Sequence, residues 1–373
     1  MRAQEFTPIS PQLKLLIFLA FAAAAALVLS LWVCAVRRYY RPRERQLAPL
    51  RATCADGWEI AVYHREPVQR RFTEPVLLCH GLAANHYNFD FQQPYSLAHY
   101  LAKAGFHCFT VDWRGAGASR RRPRGSARGY SVDDQINYDA PALVELALAR
   151  TGARQALWVG HSLGGLIGLA AAQGPVREEL RGMITLGAPV FFEASPAVKA
   201  AVRLGLILAW PYAFRHRVFS TAVAPFLGYV SLPFSEIVLN PHNMAARLQR
   251  QVYAQLMSSV SRKLLLQLKD WIFNNAFRSF DGKRDYRAGI SRLTLPILVA
   301  GGSADRMAPV PNVRAAYELA GGVDKTLVIF GREWGCAQDY GHADLIFGMA
   351  APDEVYPVLR RWLMAHATEY RAN

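Results

Sequence analysis

Gly160-His161-Ser162-Leu163-Gly164 follows the apolar run Ala156–Val159 and leads, through Gly165, into a helical pattern. No other stretch restricts the fold of this chain so tightly. A strand that turns at once into a helix holds its turn residue in a strained conformation with the side chain exposed. Glycine is required two positions before and two after, since a Cβ there would strike the neighbouring strand or helix. Gly160 and Gly164 meet that requirement, and the turn then presents the Ser162 hydroxyl at the positive end of a helix. A bare Gly-x-Ser-x-Gly also occurs as an ordinary glycine-rich turn; the strand before it and the helix after it favour a nucleophile.

The rest of the chain supplies a frame for such a turn. Strand-like apolar runs lie at Glu59–Val62, Pro75–Cys79, His107–Val111, Ala156–Gly160, Met183–Leu186, Ile297–Ala300 and Thr326–Phe330. Helical patterns intervene at Ser96–Ala104, Asp133–Arg150, Leu163–Gln173 and Asp353–Ala367. This alternation predicts an α/β fold with a mostly parallel sheet covered on both faces. It breaks once, from about Val190 to Ile290, where helical pieces rich in Leu, Phe, Trp and Tyr replace it. The organisation expected is therefore an anchor and basic linker over 1–46, a core over 47–189 and 291–373, and an inserted helical cap over 190–290.

A serine hydroxyl becomes a nucleophile only when a base takes its proton, and that base needs an orienting carboxylate. Of ten histidines, His64, His86, His99, His107, His216, His242 and His366 lack local punctuation and read as surface or packing residues. His161 adjoins the serine but is expected to point elsewhere on the turn. His342, in Asp339-Tyr340-Gly341-His342-Ala343-Asp344, lies between the last strand and the C-terminal helix and is the candidate base. Asp305, in Gly301-Gly302-Ser303-Ala304-Asp305, comes just after a strand and is preferred as the carboxylate over Asp339 and Asp344. All three candidates lie just past strand C-termini, the edge where open α/β sheets bind ligands. A tetrahedral intermediate also needs two donors for its oxyanion. The Leu163 N–H, next after the serine, is one candidate. The Leu82 N–H, in the loop His80-Gly81-Leu82, is the other, with Gly81 allowing the backbone to turn. Neither metal nor organic cofactor is required.

These motifs, together with Asp112-Trp113-Arg114-Gly115-Ala116-Gly117-Ala118-Ser119 and Gly341-His342, resemble those of the α/β-hydrolase-fold serine hydrolases from about Leu50 to the C-terminus. The resemblance is to lipases and esterases, with more distant similarity to acid lipases and polyhydroxyalkanoate synthases. It implies an ester, thioester or related acyl bond as substrate and a lid over the pocket. The synthases carry Cys where this chain has Ser162; dehalogenases and epoxide hydrolases of the fold need Asp there. One departure is the loop Gly331–Tyr340 before His342, which is shorter in many relatives. An acyltransferase would use the same acyl-enzyme, and a non-catalytic binding protein of this fold would be expected to have lost part of the catalytic set.

Where the chain resides is read from charge and hydropathy. Leu15 to Val36 carries no formal charge and as a helix measures roughly 33 Å at about 1.5 Å per residue, enough to cross a bilayer. It exceeds the apolar region of a cleaved signal peptide, and no small-x-small cleavage pattern separates it from Arg37. Arg37, Arg38, Arg41, Arg43, Arg45 and Arg51 follow it, so a single-pass protein with its catalytic domain on the cytoplasmic side is expected. Five cysteines, Cys34, Cys54, Cys79, Cys108 and Cys336, show neither paired nor metal-ligand spacing, which suits a reducing compartment. The net charge of +15 has a second concentration in Arg114, Arg120, Arg121, Arg122, Arg124 and Arg128, a loop suited to anionic headgroups or an acidic substrate. In the cap, the apolar and aromatic stretch Leu204–Phe214 is suited to a membrane surface or to packing as a lid. Nucleic acid is not expected, because no recognition motif accompanies the arginines. The expected partners are a small ester or lipid substrate and a membrane, with no obligate protein partner.

Overall fold

The structure is a computed structural model and describes residues 10–44, 47–121, 129–193, 195–209, 213–229, 235–238 and 240–371. The main strands are β1 (Leu50–Thr53), β2 (Trp58–Arg65), β3 (Val76–Cys79), β4 (Cys108–Asp112), β5 (Ala156–His161), β6 (Leu180–Leu186), β7 (Ile297–Gly302) and β8 (Lys325–Phe330). They form one sheet in the order β1-β2-β4-β3-β5-β6-β7-β8, to which the short strand Arg120–Arg121 adds at β2. β1 and β2 pair antiparallel, as do β2 and β4; the remaining neighbours are parallel. Every residue of β3, β4, β5 and β7 is buried, as parallel strands covered on both faces must be. Cys79 and Cys108 lie among them as small core residues.

One face is covered by α3 (Ala140–Thr151), α4 (Leu163–Ala171) and α9 (Val310–Leu319), whose Leu143, Ala147, Ile167, Ala170 and Val313 are buried there. The other is covered by α2 (Leu97–Lys103) and α10 (Ala351–His366) through Leu101, Val355, Leu359 and Leu363. Two elements of this frame escaped the sequence pattern, β1 and α9. β1 is only four residues long, so the alternation of Leu50 and Ala52 with Arg51 and Thr53 is too short to stand out. The helix expected over Asp133–Arg150 begins at Val132 and contains a π-helical turn at Gln135–Asp139, ahead of Pro141.

Between residues 190 and 290 the chain forms α5 (Pro196–Leu208), α6 (His216–Val223), α7 (Ala246–Gln255) and α8 (Arg262–Asn274). It also forms a two-residue antiparallel ribbon, Ala213–Phe214 against Val260–Ser261, too short to leave a periodic signature. Phe277, Tyr286 and Ile290, near the end of this stretch, join the hydrophobic cluster of the core.

The first helix, α1 (Pro11–Tyr39), starts with Ser10 accepting from the Leu13 N–H and Pro11 in the first turn, and ends with Arg37 and Arg38. Among the described residues it is the one helix long and apolar enough to cross a membrane, and its most apolar window is wholly unburied. Its C-terminal end is different. There Val36 and Tyr40 bury against Ala224 and Ala254 beside α6 and α7.

The basic loop after β4 is only partly available to a partner. Arg114 is buried, donating to Asp139 through Nε at 2.9 Å and to Asp56 through Nη1 at 2.6 Å. Arg120 pairs with Glu59 at 2.7 Å. Arg122, Arg124 and Arg128 lie outside the described residues.

Candidate active site

Strand order places the site. Chain connections leave β3 toward β4 on one side, while β5 pairs with its other edge, so the crevice between the C-termini of β3 and β5 is a topological switch point. The register sets Cys79 opposite Gly160. The two following turns therefore meet: a Cβ built on Gly81 would stand 3.0 Å from the Cβ of Ser162. Ser162 itself has φ +53° and ψ −121°, a strained conformation for a non-glycine residue at a turn from strand to helix. A Cβ on Gly164 would collide with the Cys79 carbonyl, and one on Gly160 with the backbone of Gly164 and Gly165. The Ser162 N–H is tied to the Leu186 carbonyl at 2.8 Å.

Further along the same edge, Asp305 and His342 come together although 37 positions apart. His342 Nδ1 lies 2.7 Å from Asp305 Oδ2, and both side chains are buried. An ionised carboxylate only accepts, so Nδ1 carries the proton and Nε2 is left with its lone pair. The other oxygen, Asp305 Oδ1, accepts from the N–H groups of Met307 and Ala308 at 2.9 and 2.7 Å, which fixes the carboxylate plane. Gly187, at φ +55°, passes so close that a Cβ would press on both His342 Nδ1 and Asp305 Oδ2. The two rival carboxylates have other partners. Asp339 accepts from Ser303 Oγ and the Arg332 N–H, closing the loop Gly331–Tyr340, which Tyr340 and Ala337 fasten to Glu354 on α10.

Asp344 joins the His342 loop to the segment before α7. Its carboxylate accepts from the Asn240 N–H, the Asn243 side chain and the Gly341 N–H at 3.0, 2.7 and 2.8 Å. Burial raises its pKa even against those donors. The Ala343 N–H donates to Val238 O at 2.8 Å in the same seam. Asn240 and Asn243 carry no motif, so only their distance in space reveals them. Asp344→Ala is expected to strand buried donors at about 1–3 kcal/mol each and to slacken the His342 loop. The expected result is a fall in kcat of at least tenfold with a lowered Tm, measured by short-chain ester kinetics and thermal melts.

His80 supports the loop that carries Gly81 and Leu82. The Trp113 N–H donates to its Nε2 at 3.2 Å, so Nδ1 holds the proton and donates to Gly81 O at 2.8 Å. Burial lowers its pKa to about 4. His64, burial-shifted to about 4 and repelled by His107, is a second histidine kept neutral. Well above about pH 6.5 both are uncharged whether the chain is folded or not. As pH falls toward 4 the unfolded chain takes up protons that the folded one refuses, and stability drops. For His80 the loss approaches about 3 kcal/mol at acid pH. Thermal melts between pH 7 and 4 should show Tm falling through this window, and His64→Gln should flatten part of the slope.

His161 departs from expectation. It faces the same cavity as Ser162 and its ring lies 4.7 Å from that of His342. Its Nε2 donates to the His342 carbonyl at 3.2 Å, and its Nδ1 faces the Asn88 side-chain amide at 3.3 Å. Burial, and then His342, holds its pKa well below the ordinary value. Of the two readings given for His86, surface or packing, the structure has the second, since it is buried. It donates through its backbone N–H to Asp112 at 2.7 Å and sits 2.9 Å from it through Nδ1. Burial opposes ionisation of Asp112, but His86 and the Ala118 N–H hold its pKa down at about 2. Among the described residues no group of three or more His, Cys, Asp or Glu is arranged to hold a metal ion.

Ser162, His342, Leu82 and Leu163 all line one cavity of about 1140 Å³, walled also by Phe191, Phe192, Leu204, Phe219, Leu256 and Ile272. Leu163 is the first residue of α4, where amides have no acceptor within the helix.

Comparison with known proteins agrees with this architecture. The sequence profile of the alpha/beta hydrolase fold matches residues 74–348. Gastric triacylglycerol lipase of Mus musculus is 25% identical over 345 residues, covering 81% of this chain and 84% of that protein. Lysosomal acid lipase/cholesteryl ester hydrolase of Homo sapiens is 35% identical over 134 residues, a third of each chain. Among solved structures, a soluble variant of the monoglyceride lipase of Saccharomyces cerevisiae superposes with a TM-score of 0.60 at 20% identity, covering 88% of this chain and 98% of that one. An esterase of Thermogutta terrifontis gives 0.56 at 19% identity, covering 86% and 100%. This chain belongs to the alpha/beta hydrolase fold family, and its relatives are lipases and esterases.

Proposed function

We propose that the protein is a membrane-anchored serine hydrolase that cleaves hydrophobic, lipid-like carboxylic esters. The observation that carries this is one cavity holding both the elbow serine and a histidine whose Nδ1 is tied to a buried carboxylate. Family and lipase relatives support the broader statement, a carboxylic-ester hydrolase.

His342 Nε2 takes the proton of Ser162 as Oγ attacks the acyl carbon, and Asp305 stabilises the imidazolium without accepting its proton. The N–H groups of Leu82 and Leu163 receive the oxyanion. The proton passes to the departing alcohol, leaving an acyl-enzyme. Water then attacks with His342 again as base, and the acid leaves. The cavity favours a long acyl chain. Leu166, Phe191, Phe192, Leu256, Ile272 and Phe347 contribute an apolar wall, and the volume is at the upper end for small-molecule sites.

The anchor is α1. Six arginines follow its apolar run within a short distance, which favours retention of the catalytic domain on the cytoplasmic side. A C-terminal reporter active only outside the cytoplasm would reverse that orientation. For the activity, a fluorophosphonate probe should label the protein and leave Ser162→Ala unlabelled. p-Nitrophenyl esters of eight or more carbons should be preferred over those of four or fewer. Undiminished labelling of Ser162→Ala removes the nucleophile assignment, and a short-chain preference removes the lipid-like substrate.

A further inference from the structure

α1 does not end as a free tether. Trp32 Nε1 donates to the Ala222 carbonyl on α6 at 3.1 Å, and Arg37 Nη1 donates to the Ala254 carbonyl on α7 at 2.9 Å. Gln255 Nε2 returns a bond to the Arg37 carbonyl at 2.6 Å, while Val36 and Tyr40 are buried in the same seam. The end of the apolar helix is thereby bolted to two helices that also wall the cavity, α6 through His216 and Phe219, α7 through Val252 and Tyr253.

This contact fixes depth. Trp32 lies inside the uncharged run, five residues before Arg37, or roughly 7–8 Å along a helix axis at about 1.5 Å per residue. A part of the cap hydrogen-bonded to Trp32 stands that much closer to the hydrocarbon than the first flanking arginine. Amphipathic helices lying in a bilayer surface bury their apolar face to about the same depth, 5–10 Å. Tryptophan is also the residue that collects at that boundary.

The surface there suits such a position. Ile207, at the end of α5, is 71% exposed, Phe219 on α6 is 59% exposed and Phe226 just beyond it is 56% exposed. Arg215 and Arg217, at the start of α6, are exposed, and the Arg217 charge acts on Arg37 at the end of α1. Leu204, Leu208 and Phe219 are exposed and line the cavity at once, so they mark a mouth between α5 and α6. On the reading that α1 spans a bilayer, we infer that its docked end seats the apolar rim of the cap in the lipid surface, so that the cavity opens into the bilayer and takes its ester from there.

The full-length chain is tested in nanodiscs of phosphatidylcholine and phosphatidylglycerol. On a Cys34→Ser, Cys336→Ser background, a nitrobenzoxadiazole probe is attached at Ile207→Cys, Phe226→Cys, Phe21→Cys in mid-α1, or the fully exposed Val68→Cys. Lipids with a shallow spin label should quench positions 207 and 226 at least twofold, lipids with a deep label should quench 21, and 68 should respond to neither. Quenching at 21 with 207 and 226 behaving like 68 overturns the inference and leaves the anchor standing. Absence of quenching at 21 as well overturns the anchor itself.

A kinetic arm uses Ile207→Glu with Phe226→Glu, neither of which lines the cavity. Turnover of p-nitrophenyl palmitate carried in the nanodisc should fall at least tenfold, with p-nitrophenyl butyrate in water changed less than twofold. Equal effects on both esters, or none on the palmitate, contradict entry from the bilayer.

Discussion

Ser162→Ala is expected to lower kcat roughly 10⁴–10⁶-fold on every ester the protein accepts, with the thermal melt unchanged. The strained backbone at Ser162 is imposed by the close approach of Gly160, Gly164 and Cys79, so removing Oγ leaves the turn in place. His342→Ala should cost about as much, and the double variant scarcely more than either alone, because nucleophile and base act in the same step. Asp305→Asn should lose about 10⁴-fold. An amide nitrogen facing His342 Nδ1 would favour the tautomer that protonates Nε2, the atom required as base. Purely additive losses would show that the three residues do not work as a unit. Stopped assays on p-nitrophenyl butyrate, with far-UV dichroism as the folding control, decide the matter.

The second large effect concerns stability. Arg114→Met is expected to destabilise the fold by about 3–5 kcal/mol, because it strands Asp139 without its counter-charge. Asp139 is wholly buried, accepts from Arg114 through its backbone N–H and its guanidinium, and takes the Cys54 thiol as a further donor at 3.2 Å. Burial already raises the Asp139 pKa against the attraction of Arg114, and the same burial, then Asp139, drives the Cys54 thiol upward. Asp139→Asn in the Arg114→Met background should recover part of the loss by removing the stranded charge. Thermal melts in detergent should resolve these differences, since 3–5 kcal/mol shifts Tm by about 4–6 °C in a chain of this length. A loss below about 1 kcal/mol for Arg114→Met would mean that water reaches Asp139.

Arg114 also shows why charge in a sequence is a poor guide to partners. In the residue order it is the first of a cluster of six arginines, and its charge reads no differently from that of Arg120 or Arg121. In the fold it follows a buried strand, meets Asp139 from the π-helical turn and Asp56 from the β1–β2 turn, and becomes part of the core. Those partners are 25 and 58 positions away, so nothing local marks the pair. The histidines make the same point in reverse. His86 stands in no motif and His161 only fills a variable position of one, yet a carboxylate and a second imidazole that arrive from elsewhere in the chain give each a defined partner.

What the residue order could determine by itself was local. The elbow at Ser162 was legible because its constraint is steric and the glycines it requires lie within five residues. The parallel sheet was legible because fully buried strands must be apolar on both faces, and the apolar helix α1 because its uncharged run is unbroken. What only the tertiary structure decided were the pairings across distance. These are Asp305 with His342, Asp344 with Asn240 and Asn243, Arg114 with Asp139, and the end of α1 with α6 and α7. Each is a hydrogen bond or ion pair whose strength depends on burial and on an angle set by the sheet. Neither quantity is written in residue spacing; both appear only when strand order has brought the loops to one edge.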